Sequence, residues 1–214
     1  LSDEFGAEKL SRIMFPPTDQ ARDAAQVNSW SHALSLTANA QPAICLASIL
    51  WCRFLRELGV IPSVVGGHSL GEATALYAGG ALDEQTLLRF AYQRGKAMRT
   101  RQKDSGAMLS MRCTRSQVED LLEKVTDGYA ALANINAPSQ MVVAGELNAI
   151  EQLTDLAKTA TVPAQRLPVS NAFHCRLTSR AAQKLSRLTI LPASLSDSPV
   201  RIFSSVNGQS EISA

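Results

Sequence analysis

Residues 60 to 82 read VIPSVVGGHSLGEATALYAGGAL. An apolar, partly β-branched run ends at Val65, two glycines follow, and a stretch of small residues starts at Leu70. That order predicts a short buried strand, a tight turn and a helix able to lie close to a sheet. Within the turn Gly67, His68, Ser69, Leu70 and Gly71 match G-x-S-x-G. A serine on such an elbow is pushed out of the sheet, and flanking glycines give the room a strained turn needs. The helix beneath it offers the Leu70 N–H to a developing oxyanion. Chance could write the same five residues in a glycine-rich turn, but the strand before and the helix after are the context the motif requires.

A serine hydroxyl is a poor nucleophile without a base. The chain has three histidines, His32, His68 and His174. His68 is the immediate neighbour of Ser69, so the two side chains diverge and His68 is read as a prop for the turn. His32 lies in a polar stretch and is read as a surface residue. His174, in SNAFHCRL, is left as the expected base. Cys175 beside it suggests a Cys/His pair, which the divergence of sequence neighbours argues against.

Arg94 is the second unusual residue. In the helix predicted over LDEQTLLRFAYQRGKAMRTRQ and capped by Asp83, the positions Leu87, Ala91, Arg94 and Met98 share one face. A guanidinium on a core-facing stripe needs an anionic partner, because desolvating it alone is costly. That partner is either an Asp or Glu of the chain or the carboxylate of a substrate, whose shape its planar fork matches. Arg89, Lys96, Arg99 and Arg101 point elsewhere, and the five basic residues from Arg94 to Lys103 read as a solvated helix end in preference to a landing patch for phosphates or an acidic partner.

The bulk properties narrow the class. A chain of 214 residues, 45% hydrophobic and 19% charged, holds one sizeable core with room for an inserted subdomain. A net charge of +2 and a pI near 8.4 give no reason to expect nucleic acid. Cys45, Cys52, Cys113 and Cys175 form no CxxC pair and lie at no metal-ligand spacing, so no metal site is expected. They read as reduced thiols of a cytoplasmic protein. The apolar run from Ala43 to Cys52 is too short to span a bilayer, and no signal peptide opens the chain, so no membrane is expected. The chain begins at Leu1 and ends soon after the strand-like VRIFSSV, which reads as a piece truncated at both ends.

Elsewhere, PAICLASILWCRFLREL predicts a helix with Pro42 at its first position and Gly59 as a C-cap past its end. From residue 106 the texture changes. GAMLSMR, YAALANIN, QMVVAGE and AQRLPVS read as strands; TRSQVEDLLEKV, capped by Thr114, and LNAIEQLTDLAKTA read as helices. Together they give β-α-β-β-α-β, the ferredoxin-like order. The expected fold is therefore α/β, with a hydrolase-like parallel-sheet core over residues 1–105 and 169–214 and a ferredoxin-like subdomain inserted over residues 106–168.

GHSLGE, the arginine of QRGKAM, NINAPSQMVVAGE and NAFHC occur in that order, with AQPAICLASILW before the serine and VRIFSSVNG after the histidine. The set resembles the malonyl-CoA:acyl carrier protein transacylase family, especially the acyltransferase domains of multidomain polyketide and fatty acid synthases. The resemblance covers nearly all of residues 35 to 210. It implies a two-step acyl transfer in which Ser69 attacks the thioester of malonyl-CoA, His174 takes its proton and Arg94 holds the malonyl carboxylate. The phosphopantetheine thiol of an acyl carrier protein then collects the acyl group, and no covalently bound cofactor is implied.

Through the same resemblance, the residues before the histidine set the extender unit. Phe173 stands as in malonyl-selective members and crowds an α-methyl branch. Asn171 stands where the commonest polyketide version has histidine, a departure shared with polyunsaturated fatty acid synthases. Cys175 replaces a usual serine and Thr178 a frequent methionine. The family's N-terminal GQG loop, source of the second oxyanion donor, is not in the sequence.

Two other classes compete. A serine acyl hydrolase shares G-x-S-x-G but needs an acidic third member between serine and histidine. Asp104, Glu119, Asp120 and Glu146 all lie in or near the inserted subdomain, away from any strand end of the core. A non-catalytic docking domain that kept the fold would not need Ser69, His174 and Arg94 together.

Overall fold

The computed structural model describes residues 7–15, 17, 23–99, 106–169, 171–188, 200–206 and 211–212. The chain divides into two units, Leu1–Ala97 with Leu185–Ala214, and Met98–Lys184. The stretch 169–184, expected with the first unit, clusters with the second. The fold is mixed α/β.

In the first unit, α1 (Ala7–Met14), α2 (Ala24–Ser35) and α3 (Thr37–Glu57) precede β1 (Val64–Gly66), α4 (Gly71–Ala78) and α5 (Glu84–Ala97). Pro42 does not open its helix, as the sequence suggested, but lies inside α3. Tertiary packing supports the extra turn. Gly95 of α5 sits so close to the start of α3 that a Cβ there would meet the Thr37 carbonyl oxygen at 2.6 Å and the Ala38 Cα at 2.8 Å. The Gln41 Nε2 amide also donates to Thr37 Oγ1 at 2.8 Å within that turn. No single helix among the described residues is long and apolar enough to cross a membrane.

Cys45, Ile49, Ala73, Tyr77, Leu87 and Ala91 form the core of α3, α4 and α5. At its edge Arg53 grips Glu84 through two bonds of 2.7 Å, and the Tyr77 hydroxyl donates to Glu84 Oε1 at 2.9 Å. Asp83 caps α5 as predicted, accepting the Thr86 N–H at 2.7 Å. That backbone bond holds its carboxyl below the usual range. α5 ends at Ala97, so Met98 lies in a turn and does not extend the apolar stripe. Arg101 and Lys103 lie outside the described residues.

β1 pairs in parallel with β6 of the same unit (Arg201–Phe203), and β6 pairs antiparallel with β7 (Glu211–Ile212). β1 was expected to be buried; Val64 is 41% exposed and Gly66 is exposed. The physical reason is that β1 has a neighbour on one side only among the described residues.

The second unit holds β2 (Ala107–Met111), α6 (Arg115–Leu122), β3 (Ala130–Ala137), β4 (Gln140–Gly145), α7 (Leu147–Thr159) and β5 (Ala164–Arg166). All pairings are antiparallel and the sheet order is β3-β4-β2-β5. Register pairs such as Leu109 with Val143 and Met108 with Ala144 put alternate residues on opposite faces. Leu109, Met111, Met141 and Val143 pack on one face against Val118 and Leu121 of α6 and Ile150 and Leu153 of α7. Met108, Val142 and Ala144 pack on the other against Ala172, Phe173, Cys175 and Leu177. That second face is why residues 169–184 cluster with this sheet.

α6 carries a complete capping box: Gln117 N–H donates to Thr114 Oγ1, and Thr114 N–H donates to Gln117 Oε1 at 2.9 Å. β5 stops at Arg166, where the sequence suggested a strand running on through Val169, because Pro168 has no N–H for a ladder; Ser170 lies outside the described residues.

Candidate active site

Ser69 has φ of +56°, left-handed backbone that a side chain with a Cβ adopts at a cost of roughly 1–3 kcal/mol. The surrounding turn enforces it. Gly71 N–H donates to the His68 carbonyl at 2.9 Å, Glu72 N–H to the Ser69 carbonyl at 3.2 Å and Ala73 N–H to the Leu70 carbonyl at 3.1 Å. The two glycines of the motif play different parts. A Cβ on Gly67 would collide with the Gly71 backbone and stand 2.6 Å from Glu72 N, whereas one on Gly71 would meet nothing. Gly67 therefore permits the elbow, and Gly71 leaves open space above the helix start.

Leu70 has helical dihedrals and its carbonyl is already bonded into α4, but its N–H meets no acceptor among the described residues. It is a free donor at the positive end of a helix, beside the serine. His68 and His32 are both exposed.

Glu72, in the first turn of α4, was not singled out from the sequence, where an acid in a first turn reads only as a dipole complement. Its Oε1 accepts from Ser204 Oγ at 3.1 Å, Ser205 N–H at 2.8 Å and Ser205 Oγ at 2.8 Å. It fastens the segment after β6 to the helix that carries the serine.

Arg94 is half-buried on α5, and burial pushes its guanidinium below its usual pKa. An arginine nevertheless stays charged at neutral pH. Its Nη1 donates to Gln41 Oε1 at 2.7 Å, a neutral amide. No carboxylate pairs with Arg94 among the described residues. The sequence left open an internal Asp or Glu as its partner, and none is found there. Gln41, buried on α3, was missed because a glutamine before a proline carries no signal that it faces a cation. Cys45, fully buried one helical turn on, has its Sγ 3.9 Å from Thr74 Oγ1 of α4. Burial raises its thiol pKa, so it supplies no negative charge to Arg94 at neutral pH.

His174 belongs to the second unit, is exposed and has φ of +58°. Anchors stand on both sides of it. Asn171 is buried and its Nδ2 donates to the Met98 carbonyl at 3.0 Å. Phe173 is half-buried on the Met108, Val142 and Ala144 face. Cys175 Sγ donates to the Ala172 carbonyl at 3.3 Å, and burial raises its pKa, which keeps it a thiol and not a nucleophilic thiolate. Thr178 N–H and Oγ1 both donate to the Cys175 carbonyl, at 3.0 and 2.8 Å.

The carboxylates a hydrolase would need are placed otherwise. Glu119 pairs with Arg115 at 2.7 Å, Asp120 is exposed, and Glu146 Oε2 accepts the Tyr129 N–H at 3.0 Å. Asp104 lies outside the described residues. No group of three or more His, Cys, Asp or Glu able to hold a metal occurs among the described residues.

Residues 16–212 match the acyl transferase domain family. A malonyl CoA-acyl carrier protein transacylase of Synechocystis is 33% identical over 214 residues, covering 95% of this chain and 70% of that protein. A highly reducing polyketide synthase of Aspergillus terreus is 34% identical over 190 residues, 82% of this chain but 8% of the synthase. The crystal structure of an acyl-carrier-protein-S-malonyltransferase from Bartonella henselae superposes with a TM-score of 0.80 at 31% identity, covering 99% of this chain and 66% of that one. With its serine on a strained elbow before α4 and an arginine on α5 that meets the neutral Gln41 oxygen, the chain belongs to the acyl transferase domain family.

Proposed function

We propose that the chain transfers a malonyl group from malonyl-CoA to the phosphopantetheine thiol of an acyl carrier protein. The observation that carries this reading is Arg94, a desolvated cation whose protein partner is the neutral Gln41 oxygen. A site tuned this way favours an anionic ligand, and the free carboxylate of a dicarboxylic acyl group fits its fork. An acetyl or fatty acyl chain offers it nothing. The names of the Synechocystis and Bartonella relatives support the same substrate and acceptor.

Ser69 Oγ attacks the thioester carbonyl while His174 takes its proton. The Leu70 N–H stabilises the oxyanion, the C–S bond breaks, and the CoA sulfur leaves with the proton from His174. In the second half the carrier thiol gives its proton to His174 and attacks the Ser69 ester, and Ser69 recovers that proton as it leaves. Both halves need Ser69 and His174 to meet. Malonyl-CoA enters as substrate, and no further cofactor is needed for acyl exchange between a thioester and a hydroxyl.

Phe173 crowds an α-methyl branch and favours malonyl over its branched relatives, while Asn171 acts on selectivity by fixing the segment before the histidine. The proposed architecture is a hydrolase-like core with an inserted ferredoxin-like subdomain over residues 106–168, whose sheet also carries the return segment 169–184. The parallel pair β1–β6 supports the core, and the sheet order β3-β4-β2-β5 around β-α-β-β-α-β connections supports the subdomain. The relation to the fungal synthase supports a setting among other synthase domains. The proposed location is the cytoplasm, where the four free cysteines would stay reduced.

The test is transfer to a holo acyl carrier protein, followed by intact mass. Malonyl-CoA should load the carrier and acetyl-CoA should load it far less; equal loading would remove the dicarboxylate argument.

A further inference from the structure

Tyr129 immediately precedes β3, and its turn is fastened from two sides. Its N–H donates to Glu146 Oε2 at 3.0 Å, and Glu146 N–H donates to its carbonyl at 2.7 Å. Gln152 on α7 accepts the N–H groups of Thr126 and Asp127 at 3.0 and 3.2 Å and donates to Thr126 Oγ1 at 3.0 Å. The half-buried side chain mounted on this platform reaches the segment after His174. The Arg176 guanidinium lies 3.7 Å from the centre of the Tyr129 ring, and the Arg176 N–H donates to Tyr129 Oη at 3.4 Å. That hydrogen bond is at the long end of its range, so the cation–π stack is the main tie.

A left-handed backbone at a non-glycine residue persists only where its surroundings over-determine it. For His174 the tie on the N-terminal side is the Asn171 amide on the Met98 carbonyl. On the C-terminal side the Cys175 and Thr178 side-chain hydrogen bonds are local, Cys175 and Leu177 pack on the sheet face, and Tyr129 adds a tie from Arg176 to the start of β3. We propose that Tyr129 is a positioning residue for His174, stacking on Arg176 to hold the histidine's backbone in the strained geometry from which it serves as base. This rests on the reading of His174 as the general base. The residue touches neither substrate nor reacting atoms.

The experiment compares steady-state malonyl transfer by the wild type, Tyr129→Leu, Tyr129→Phe, Arg176→Gln and the Leu/Gln double variant, with thermal midpoints and a His174→Ala control. Misplacing a catalytic group lowers turnover more than substrate affinity. Tyr129→Leu and Arg176→Gln should each lower kcat by about tenfold, with KM for malonyl-CoA within about twofold. Tyr129→Phe, which keeps the ring, should retain most of the rate, and the double variant should be no slower than either single one. Independent, multiplying losses would overturn the proposal, as would Tyr129→Phe falling as far as Tyr129→Leu. So would a Tyr129→Leu loss that follows a lowered thermal midpoint while Arg176→Gln, on the surface, keeps full activity. If His174→Ala itself turns over normally, the base assignment fails. If His174→Ala is inactive while Tyr129→Leu and Arg176→Gln are both unimpaired, only the positioning role fails.

Discussion

The second unit wears its structure in its sequence and the first does not. In the second, the alternation of Ala107, Leu109 and Met111 with Met108 becomes burial on both sheet faces, because helices cover one side and residues 172–177 the other. In the first, apolar residues do not announce burial. Ile44, Trp51 and Leu55 recur at helical spacing along α3, with Leu58 just past its end, yet Trp51 is 64% exposed and Leu58 62%. Meanwhile Gln41 and half of Arg94 lie inside. One unit spends its pattern on packing. The other breaks the pattern where the proposed chemistry sits, at a strained serine and a desolvated cation.

The largest expected effect tests that second half. Arg94→Ala should lower kcat/KM for malonyl-CoA about a hundredfold or more, since truncating one partner of a buried charge pair costs about 2–5 kcal/mol. The ratio of acetyl to malonyl transfer should rise; an unchanged ratio would take the arginine out of substrate choice. The matching test in the second unit is Leu153→Ala, which removes a fully buried side chain of α7. It should cost about 2–5 kcal/mol in denaturant unfolding. Trp51→Gln on the exposed face of α3 should move stability by no more than about 0.5 kcal/mol. Equal losses would erase the contrast.

The parts that could be read in advance are those with local causes. The capping box of α6 lies within four residues, and the alternation of β2 and β4 is independent of what lies on either side. His174 could be proposed as the base because only three histidines exist. The rest depended on partners distant in sequence. Nothing near Pro42 foretells that Gly95 lets α5 support an earlier helix start, and nothing near Gln41 shows that its amide meets a guanidinium 53 residues on. Glu72 is the same kind of case, its three acceptor bonds lying more than 130 residues away.

Glu72→Ala should therefore destabilise the first unit by about 1.5–3 kcal/mol, the range for hydrogen bonds to a charged group. Hydrogen exchange slowed at Ser205 in the wild type and fast in the variant would locate the loss; no change there would mean the tie is not formed. The smallest effect concerns pH. The Asp83 carboxyl is held low by the Thr86 N–H, so its contribution is present above the unfolded carboxylate pKa and lost as pH falls through the lower folded value. Unfolding midpoints of the wild type should drop faster than those of Asp83→Asn as the pH is lowered through that window. Parallel curves would show that the cap does not titrate with folding.

The most direct measurement of the central claim is the site of acylation. After brief incubation with malonyl-CoA and acid quenching, peptide mass mapping should find a malonyl adduct on Ser69, absent in Ser69→Ala and strongly reduced with acetyl-CoA. An adduct on another residue, or none in a folded protein that still loads a carrier, would contradict the account.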